Sequence, residues 1–475
     1  MDDVIVVGAG PTGLTAAVDL ARRGVSVRVL DGLDGPHRGS RGKGMQPRTL
    51  ELLDQLGVAD RLVSLGVFDL PFRHHRADGT VRDTPRNPDL DAATADPTTP
   101  WRTSMLIPQW RTEQVLRERL AEEGVEVSFG TRVASLSQDE EGVEVVLDDG
   151  SRLRSAWLIG ADGGSSTVRR QLGVGFLGET HEEVRLLLGD AEIDGLDRDH
   201  WHQWAADGPL AGTGAVFFAL CPLPATTTWQ IQIAHTDPER HATPELLTEL
   251  VESLGPRVHV RRVEVASDWR LNVRMVDKYQ VGRVFLAGDA AHVHSPAGGM
   301  GMNTGIGDAI NLGWKLAAVV HGADPALLDS YTAERLPVAA HVLGLSGELT
   351  GRQFWSRTSE QLRDTRGLGI TYRTVSDAGS GPVAGDRAPD APLVDGSTLF
   401  VRRRAADWTV LAFGGVVDGV DAPSDLPGGS VQVLDADALA ADGTLREAYG
   451  ADDGTVVVIR PDGYVWSRSA AAVSV

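Results

Sequence analysis

Cysteine and long apolar runs are scarce in this sequence. Cys221 is the only cysteine in 475 residues, which excludes an intrachain disulfide, a paired-thiol redox site, an iron–sulfur cluster and a thiolate-rich zinc site. There is no apolar run long enough to span a bilayer and no signal-peptide pattern at the start of the chain. We therefore predict a cytoplasmic location, and we expect any redox chemistry to come from a bound organic cofactor.

Positive charge is also in short supply. The chain has 45 lysines and arginines against 66 acidic residues, a formal net charge of -21 and a pI near 5.0. Such a balance disfavours non-specific binding to nucleic acid or to an anionic membrane, and we expect neither as a partner. Hydrophobic residues make up 42% and charged residues 23%, which is typical of a globular protein. The length predicts about three domains.

The first thirty residues predict a strand, a glycine-rich turn, a helix and a second strand. An apolar run at 4–7 precedes the turn, and the second strand ends at Asp31. Glycines at this spacing let the chain turn sharply, let the backbone approach a pyrophosphate and let the helix pack closely. The helix N-terminus offers free N–H groups to phosphates, and the carboxylate can bind ribose hydroxyls. The residues predicted for this dinucleotide site are Gly8, Gly10, Pro11, Thr12, Gly13, Asp31 and Gly32.

A second glycine string, 173–178, fits the same pattern but follows a helix-like segment, so we do not interpret it as a dinucleotide site. With one fingerprint, the chain is expected to house one dinucleotide, while any other binds transiently without a domain of its own.

Two later segments, 158–170 and 285–303, are rich in glycine and aspartate. Together with the first turn, they stand at the spacing seen in flavin-dependent aromatic hydroxylases of the para-hydroxybenzoate hydroxylase type, which the chain resembles. The segment 460–465 is similar to the thioredoxin-like tail of the longer phenol and polyketide hydroxylases. The resemblance implies an α/β fold with a discontinuous Rossmann-like FAD-binding domain, an antiparallel-sheet substrate domain and a small thioredoxin-like C-terminal domain.

The expected domain boundaries follow changes in sequence pattern. Alternating segments such as 215–220 and 228–234 indicate the antiparallel sheet, a helix is expected from about 308 to 320, and a cluster of glycine, serine and proline indicates a linker. The predicted units are 1–178 for the first part of the FAD-binding domain, 179–277 for the substrate domain, 278–375 for the second part of the FAD-binding domain, 376–392 for the linker and 393–475 for the C-terminal domain.

The resemblance also implies residue roles. Asp289 stands where the family binds the ribityl chain of FAD, and the loop 296–303 leads to a helix N-terminus facing the flavin. Met300 stands where the family commonly has a polar residue, often glutamine, so we expect a differently shaped pocket beside the flavin. The other positions that match cofactor-binding residues of the family are Arg41, Gln109, Val133, Asp162, Pro296, Gly301, Met302 and Asn303.

We therefore predict a single-component FAD-dependent monooxygenase that consumes NADPH or NADH and molecular oxygen. It would hydroxylate an aromatic or polycyclic, polyketide-type molecule through a flavin C4a-hydroperoxide, as a monomer or homodimer. Baeyer–Villiger oxygen insertion or epoxidation on the same scaffold is an alternative, and a non-catalytic flavoprotein that only binds a ligand is a rival of another class. The segments near the start of the chain and near residue 290 must then meet around one FAD.

The flavin would perform the chemistry, so no metal and no dedicated nucleophile are expected. Deprotonation of a phenol needs a nearby base or cation, because its pKa in solution is about 10. His74 and His235 are weak candidates for this base. Tryptophans of the second domain indicate either an aromatic-lined pocket or ordinary core packing: Trp201, Trp204, Trp229 and Trp269.

Overall fold

The structure is a computed structural model, which describes residues 2–84, 96, 98–204, 215–237, 239–295, 298–350, 364–373, 381–404, 407–414, 425–440 and 442–470. Within these ranges, no helix has the length and apolar character needed to cross a membrane, and no group of three histidine, cysteine or acidic residues is placed to hold a metal ion.

A largely parallel sheet forms the centre of the first domain, with buried apolar residues along its strands. Its strands are β1 Asp2–Val7, β2 Val27–Leu30, β8 Val127–Ser128, β9 Val133–Gln138, β10 Val143–Leu147, β11 Arg152–Gly160, β17 Gln280–Val281 and β18 Val284–Leu286. The four central strands, β2, β1, β11 and β18, run parallel to one another. Antiparallel pairs are added by β9, β10 and β17.

Helices cover this sheet and join it to the rest of the chain. They are α1 Pro11–Ala21, α2 Pro47–Asp54, α3 Ala59–Leu65, α4 Gln109–Glu122, α5 Thr167–Gln171, α7 Gly301–Val320 and α8 Asp329–Thr350. A small sheet of β3 Gly44–Met45, β4 Val67–Phe68 and β7 Met105–Leu106 lies beside them.

Helix α7 begins at Gly301, about two turns before the predicted start near 308. Glycines weaken helix propensity in these turns, but the packing excludes larger residues. A Cβ on Gly305 would stand 2.3 Å from Thr12 Oγ1, and one on Gly307 would stand 2.9 Å from Arg335 Nη2. Tertiary packing therefore overrides propensity at the start of this helix.

A second sheet of eight strands has the order β19-β16-β12-β15-β14-β13-β5-β6. One side packs on helix α6, Pro244–Glu252, through an apolar cluster. Two of its strands come from the stretch before residue 85 and one from the stretch after 290, so the chain enters this sheet three times. The strands are β5 Phe72–His75, β6 Val81–Asp83, β12 Leu177–Asp194, β13 Trp201–Trp204, β14 Ala215–Pro222, β15 Thr228–His235, β16 His259–Met275 and β19 His292–Val293.

The C-terminal domain is a four-stranded sheet with the order β21-β20-β22-β23, in which only β20 and β21 are parallel. Arg460 donates to Glu334 of α8 at 2.8 Å and fixes this domain to the first one. A thioredoxin-like fold stays a prediction. Its elements are α9 Leu399–Arg403, β20 Trp408–Ala412, β21 Val431–Asp435, α10 Ala436–Leu439, α11 Thr444–Tyr449, β22 Thr455–Ile459 and β23 Val465–Ala470.

Candidate cofactor cleft and active site

Four parallel strands of the first domain end in line. Val7, Leu30, Gly160 and Leu286 are neighbours across β2, β1, β11 and β18. The segments that follow these strands therefore lie along one edge of the sheet, the usual ligand-binding edge of a parallel α/β fold. We call this region the cofactor edge; it comprises residues 8–13, 31–32, 161–164 and 287–289.

Two glycines of the first turn are required by the protein's own packing. Gly8 has φ +105°, and a Cβ there would lie 2.3 Å from the carbonyl oxygen of Ala161. A Cβ on Gly13 would lie 1.9 Å from the carbonyl oxygen of Gly8. Gly10 differs, because a Cβ there would meet nothing within 4 Å. The open space at Gly10, beside the N-terminus of α1, fits a phosphate group of a bound dinucleotide.

Asp31 supports the glycine turn as well as facing the cofactor edge. Its carboxylate accepts hydrogen bonds from the N–H of Ala9 at 2.7 Å and of Leu33 at 2.8 Å. Each carboxylate oxygen has further acceptor capacity for a ribose hydroxyl. The next residue, Gly32, accepts from Arg132 Nη2 at 3.1 Å through its carbonyl.

The start of the chain and the stretch near residue 290 are in contact. The Thr12 side chain, in the first turn of α1, lies between two glycines of the later segment. A Cβ on Gly288 would stand 2.5 Å from Thr12 Oγ1, and one on Gly305 would stand 2.3 Å from the same atom. The predicted meeting of these two segments is confirmed by this packing.

Asp289 is exposed at the cofactor edge, whereas its neighbours Gly288 and Ala290 are buried. The cleft still withdraws the carboxylate from bulk water, which raises its pKa, against the attraction of His292 and Arg41. A carboxylate in this position can accept hydrogen bonds from the hydroxyls of a ribityl chain. The placement therefore suits the predicted role of Asp289.

A buried ion cluster holds the turn that carries Asp289. Asp308 of α7 accepts from the N–H of Gly288 at 3.1 Å and contacts His292 Nε2 at 2.7 Å. Arg335 Nε donates to its other oxygen at 2.8 Å. Arg335, His292 and their hydrogen bonds keep the pKa of Asp308 below its usual value in spite of its burial. His294 bonds the carbonyl of Ser295 at 2.8 Å through Nδ1.

The loop before α7 is tied to the segment around residue 44. Asn303 donates to the carbonyl of Gly44 at 2.9 Å and accepts from the N–H of Gln46 at 2.9 Å. Gln46 Nε2 donates to the carbonyl of Gly298 at 3.0 Å. Gly301 begins the helix, so its first N–H groups point into this region. Pro296 lies outside the described residues.

Gln109 holds the loop that carries Arg41. Its side-chain oxygen accepts from the N–H of Gly42 at 2.9 Å, and its Nε2 donates to Glu113 at 2.8 Å. Burial raises the pKa of Glu113 to about 7. Met302 also packs here, where a Cβ on Gly42 would be 3.8 Å from its Cβ. Arg41 itself is exposed, and Val133 is buried at the start of β9.

Asp162 caps helix α5. It accepts from the N–H of Thr167 at 2.7 Å and of Val168 at 3.1 Å. Arg169 in that helix donates to the carbonyl of Gly164 at 2.7 Å and to that of Ala290 at 2.9 Å, so it ties the segment 161–164 to the residue that follows 287–289. A direct contact of Asp162 with FAD or NAD(P)H stays a prediction.

One face of the second sheet meets the first domain; we call it the inner face. Asp190 on β12 accepts from the N–H of Ser40 at 2.8 Å, and burial raises its pKa to about 7. Gln230, opposite Asp190 in register, donates to the carbonyl of Ser40 and accepts from Lys43 Nζ. Lys43 Nζ also lies 4.3 Å from the ring centre of Trp201. Burial lowers the pKa of Lys43.

The histidine candidates divide between the two faces. Strand pairing places His74 beside Gln203 and Gln203 beside Ala219, so these three residues share the inner face. The His74 Nε2 atom lies 3.0 Å from Thr84 Oγ1. His235 lies two positions after Ile233 of the apolar cluster, so both side chains are on the same side of the strand. This is the side of the sheet that packs on α6, which we call the outer face. There, His235 Nδ1 accepts from the N–H of Asp237 at 2.9 Å. Of the two, only His74 has a position from which a base could serve the cleft.

The predicted tryptophans also divide between the faces. Trp204 and Trp229 belong to the apolar cluster of the outer face, which is ordinary core packing. Trp201 contacts Lys43 on the inner face. Lys43, Gln46, Asp190 and Gln230 were not predicted from the sequence, because each acts through a partner far away in the chain.

A parallel sheet whose strands end at a glycine turn, a helix N-terminus and an exposed carboxylate is typical of a dinucleotide-binding α/β fold. The family model described as FAD binding domain matches residues 1–346. The chain belongs to this FAD-binding family. It is an FAD-dependent monooxygenase by the relatives that it matches along almost its whole length.

A flavin-dependent monooxygenase of Mycobacteroides abscessus is 41% identical over 475 residues, which cover 97% of this chain and 96% of that protein. Pentachlorophenol 4-monooxygenase of Sphingobium chlorophenolicum is 33% identical over 518 residues, covering 98% of this chain and 93% of the relative. Among solved structures, the ternary complex of aklavinone-11 hydroxylase with FAD and aklavinone has a TM-score of 0.83 at 28% identity, covering 100% of this chain and 96% of that chain.

Proposed function

We propose that this monooxygenase hydroxylates an aromatic or polyketide-type small molecule held between the cofactor edge and the inner face of the second sheet. Electrons come from NADPH or NADH, and molecular oxygen is the oxidant. The observation that carries the proposal is the polar inner face, which meets the 40–43 segment beside the loop that leads into α7. We further propose that the protein works in the cytoplasm as a monomer or homodimer.

We infer that the cofactor edge and the start of α7 together hold FAD. The glycine turn and α1 N-terminus would hold the pyrophosphate, Asp31 the ribose of the adenosine, and Asp289 the ribityl chain. The N-terminal N–H groups of α7 would face the flavin ring and favour negative charge there. When bound, FAD supplies the redox chemistry, accepting two electrons from the nicotinamide and activating oxygen.

The chain's own residues bind, orient and exclude water. Lys43 donates to Gln230, and Gln230 donates to the carbonyl of Ser40, so these hydrogen bonds join the 40–43 segment of the first domain to the second sheet. A dry cleft is what an oxygen-activating flavin needs, because water promotes side reactions. His74 is the candidate to take a proton from a phenol; burial lowers its pKa, which keeps the imidazole neutral and able to accept.

The relatives support the substrate class. Their names refer to a chlorinated phenol and to aklavinone, and a further relative, 6-methylpretetramide 4-monooxygenase of Streptomyces rimosus, is 40% identical over 351 residues, which cover 72% of this chain and 60% of that protein. Phenols share a hydroxyl whose ionisation activates the ring, which fits a site that offers a neutral base.

The test is substrate-stimulated oxidation of NADPH and NADH by the FAD-loaded protein, with a panel of phenols and polycyclic phenols. We expect oxygen consumption to rise with at least one compound and the product to carry one new hydroxyl on a ring carbon. Determination of the product's connectivity is essential, because ring expansion or an epoxide would show that the alternative oxygen insertion is correct. Ligand binding without any oxygen consumption would instead identify a non-catalytic flavoprotein.

A further inference from the structure

A cavity lies where the C-terminal domain packs against the first domain, away from the second sheet. Its volume is about 120 Å³, close to the roughly 150 Å³ of a cavity that accommodates a benzene ring. The walls come from α2, α7, α8 and residues 364–372, and Asp462 and Tyr464 of the C-terminal domain complete them. Of the lining residues that the structure describes, none belongs to the range 179–277.

One wall of the cavity is apolar. Met300, Val342 and Leu345 form a buried cluster of their own, separate from the main core of the first domain. All three line the cavity, together with Ile370. Apolar side chains that face a cavity lack packing partners on that side. An aromatic ring would supply the missing contacts.

The lining of the cavity also includes an arginine with an unused donor. Arg48 of α2 is 3% exposed and donates to Glu51 at 2.9 Å and to the carbonyl of Asp462 at 3.0 Å. Its guanidinium also lies 4.7 Å from the ring centre of Tyr464. Its Nε, however, has no hydrogen-bond partner. A buried donor without an acceptor is unfavourable, so an incoming oxygen atom gains a hydrogen bond there.

Neither carboxylate at the same wall accepts a hydrogen bond from Arg48 Nε, and the hydrogen bonds of both go to other donors. Asp462 pairs with Arg460 at 2.5 Å, and Glu51 accepts from Arg48 Nη1 and from Arg387. The remaining N–H of Arg48 is therefore available to a ligand oxygen. A ring on the apolar wall with an oxygen toward Arg48 satisfies both sides of the cavity.

We propose that this cavity is a second small-molecule site, which takes an aromatic ring bearing a carboxylate or phenolate oxygen. The ring packs on Met300, Val342 and Leu345, and the oxygen accepts from Arg48 Nε. The cavity borders the loop that we place beside the flavin, because Met300 and Asn303 also line it. The binding of a ligand there does not depend on hydroxylation. The site gives the C-terminal domain a role, because Asp462 and Tyr464 complete its wall and contact Arg48.

The probe is benzoate, titrated calorimetrically into the FAD-loaded full chain in the absence of NADPH and NADH. Benzylammonium, a ring of the same size with a cation in place of the carboxylate, is the matched ligand. We expect benzoate to bind at millimolar concentration or below and benzylammonium to bind at least tenfold more weakly. Substrate turnover is not needed for this measurement, so failure of the proposed function would leave it intact.

Two variants locate the bound benzoate. Val342→Trp fills the cavity and should abolish binding, whereas Leu177→Trp adds the same side chain at a position 61% exposed and outside the cavity. Arg48→Lys keeps the charge but removes the Nε donor, and it should weaken benzoate binding at least tenfold while the FAD content stays the same. FAD content and melting temperature show which variants are folded.

The proposal is wrong if benzoate does not bind the wild-type protein at millimolar concentration. It is equally wrong if folded Val342→Trp or Arg48→Lys binds benzoate as tightly as Leu177→Trp does, because the ligand then sits elsewhere.

Discussion

The cofactor edge and the inner face of the second sheet are the two surfaces between which we propose that FAD and substrate bind, but they are built differently. At the cofactor edge, glycines and backbone N–H groups form the surface, and close backbone packing at Gly8 and Gly13 leaves no room for other residues. At the inner face, side chains such as Asp190 and Gln230 form the surface and hydrogen-bond Ser40 and Lys43 of the first domain. We expect the first region to tolerate few substitutions and the second to tolerate many while changing substrate preference.

The largest effect is expected at the buried ion cluster under the cofactor edge. Asp308→Leu leaves Arg335 buried without its ionic partner and the N–H of Gly288 without an acceptor. Removing one partner of a buried ion pair costs about 3–5 kcal/mol. Denaturant unfolding should show a loss of this size together with loss of bound FAD, and a variant with wild-type stability would contradict the role given to this cluster.

Substitutions at Gly10 and Gly13 should separate the effect of packing on stability from the effect on FAD binding. Gly13→Ala places a methyl group against the backbone of Gly8, and overpacking of this kind costs about 1–3 kcal/mol. Gly10→Ala has room in the protein and should leave the stability of the apoprotein unchanged while weakening FAD at least tenfold. Thermal melts of the two apoproteins measure the change in stability, and fluorescence titrations with FAD measure the change in affinity. An equal loss of stability in the two variants would show that Gly10 is also structural.

Lys43→Met tests the inner face. The change keeps the length of the side chain and removes a buried cation that has a neutral hydrogen-bond acceptor, so stability should change by less than about 1.5 kcal/mol. FAD affinity should stay within twofold, whereas kcat/KM for the best phenol should fall about tenfold. If FAD affinity falls instead, the 40–43 segment belongs functionally to the cofactor edge.

A smaller effect is expected on the outer face of the second sheet. His75 Nε2 lies 2.9 Å from His202 Nδ1, and burial followed by the charge of His202 lowers the pKa of His75 to about 4. Because the folded-state pKa is below the ordinary value of about 6.5, the neutral form stabilises the fold above that pH, and this contribution is lost as the pH falls toward 4. The melting temperature should therefore drop between pH 7 and pH 5, less steeply in His75→Gln; identical slopes would exclude this pair as the cause.

Local patterns predicted much of this fold. The first turn with its flanking strands and helix, and the strands at 215–222 and 228–235, carry their signals within a few residues. The meeting of Thr12 with Gly288 was also foreseen, because the family resemblance places both at one cofactor. The start of α7 was not, since its glycines oppose helix formation and only packing against Thr12 and Arg335 explains them.

Contacts between distant segments could not be predicted where the family resemblance gave no guide. Strands β5 and β6 join the second sheet from a stretch assigned to the first domain, and nothing near 72–83 indicates their partner. Gln46 bonds Gly298 across 252 positions, and Lys43 bonds Gln230 across 187. A single sequence contains no signal for such pairs; correlated changes in an alignment are the signal that could have revealed them.

Binding of FAD and ADP to the apoprotein tests most directly whether the start of the chain and the segment near 290 hold two parts of one FAD. ADP contains the adenosine and phosphates but lacks the ribityl chain and the flavin ring. In calorimetric titrations, Gly10→Ala should weaken ADP and FAD alike, whereas Asp289→Ala should weaken FAD at least tenfold and leave ADP within twofold of wild type. Equal losses of ADP and FAD in Asp289→Ala, or unchanged FAD affinity in either variant, would contradict the account.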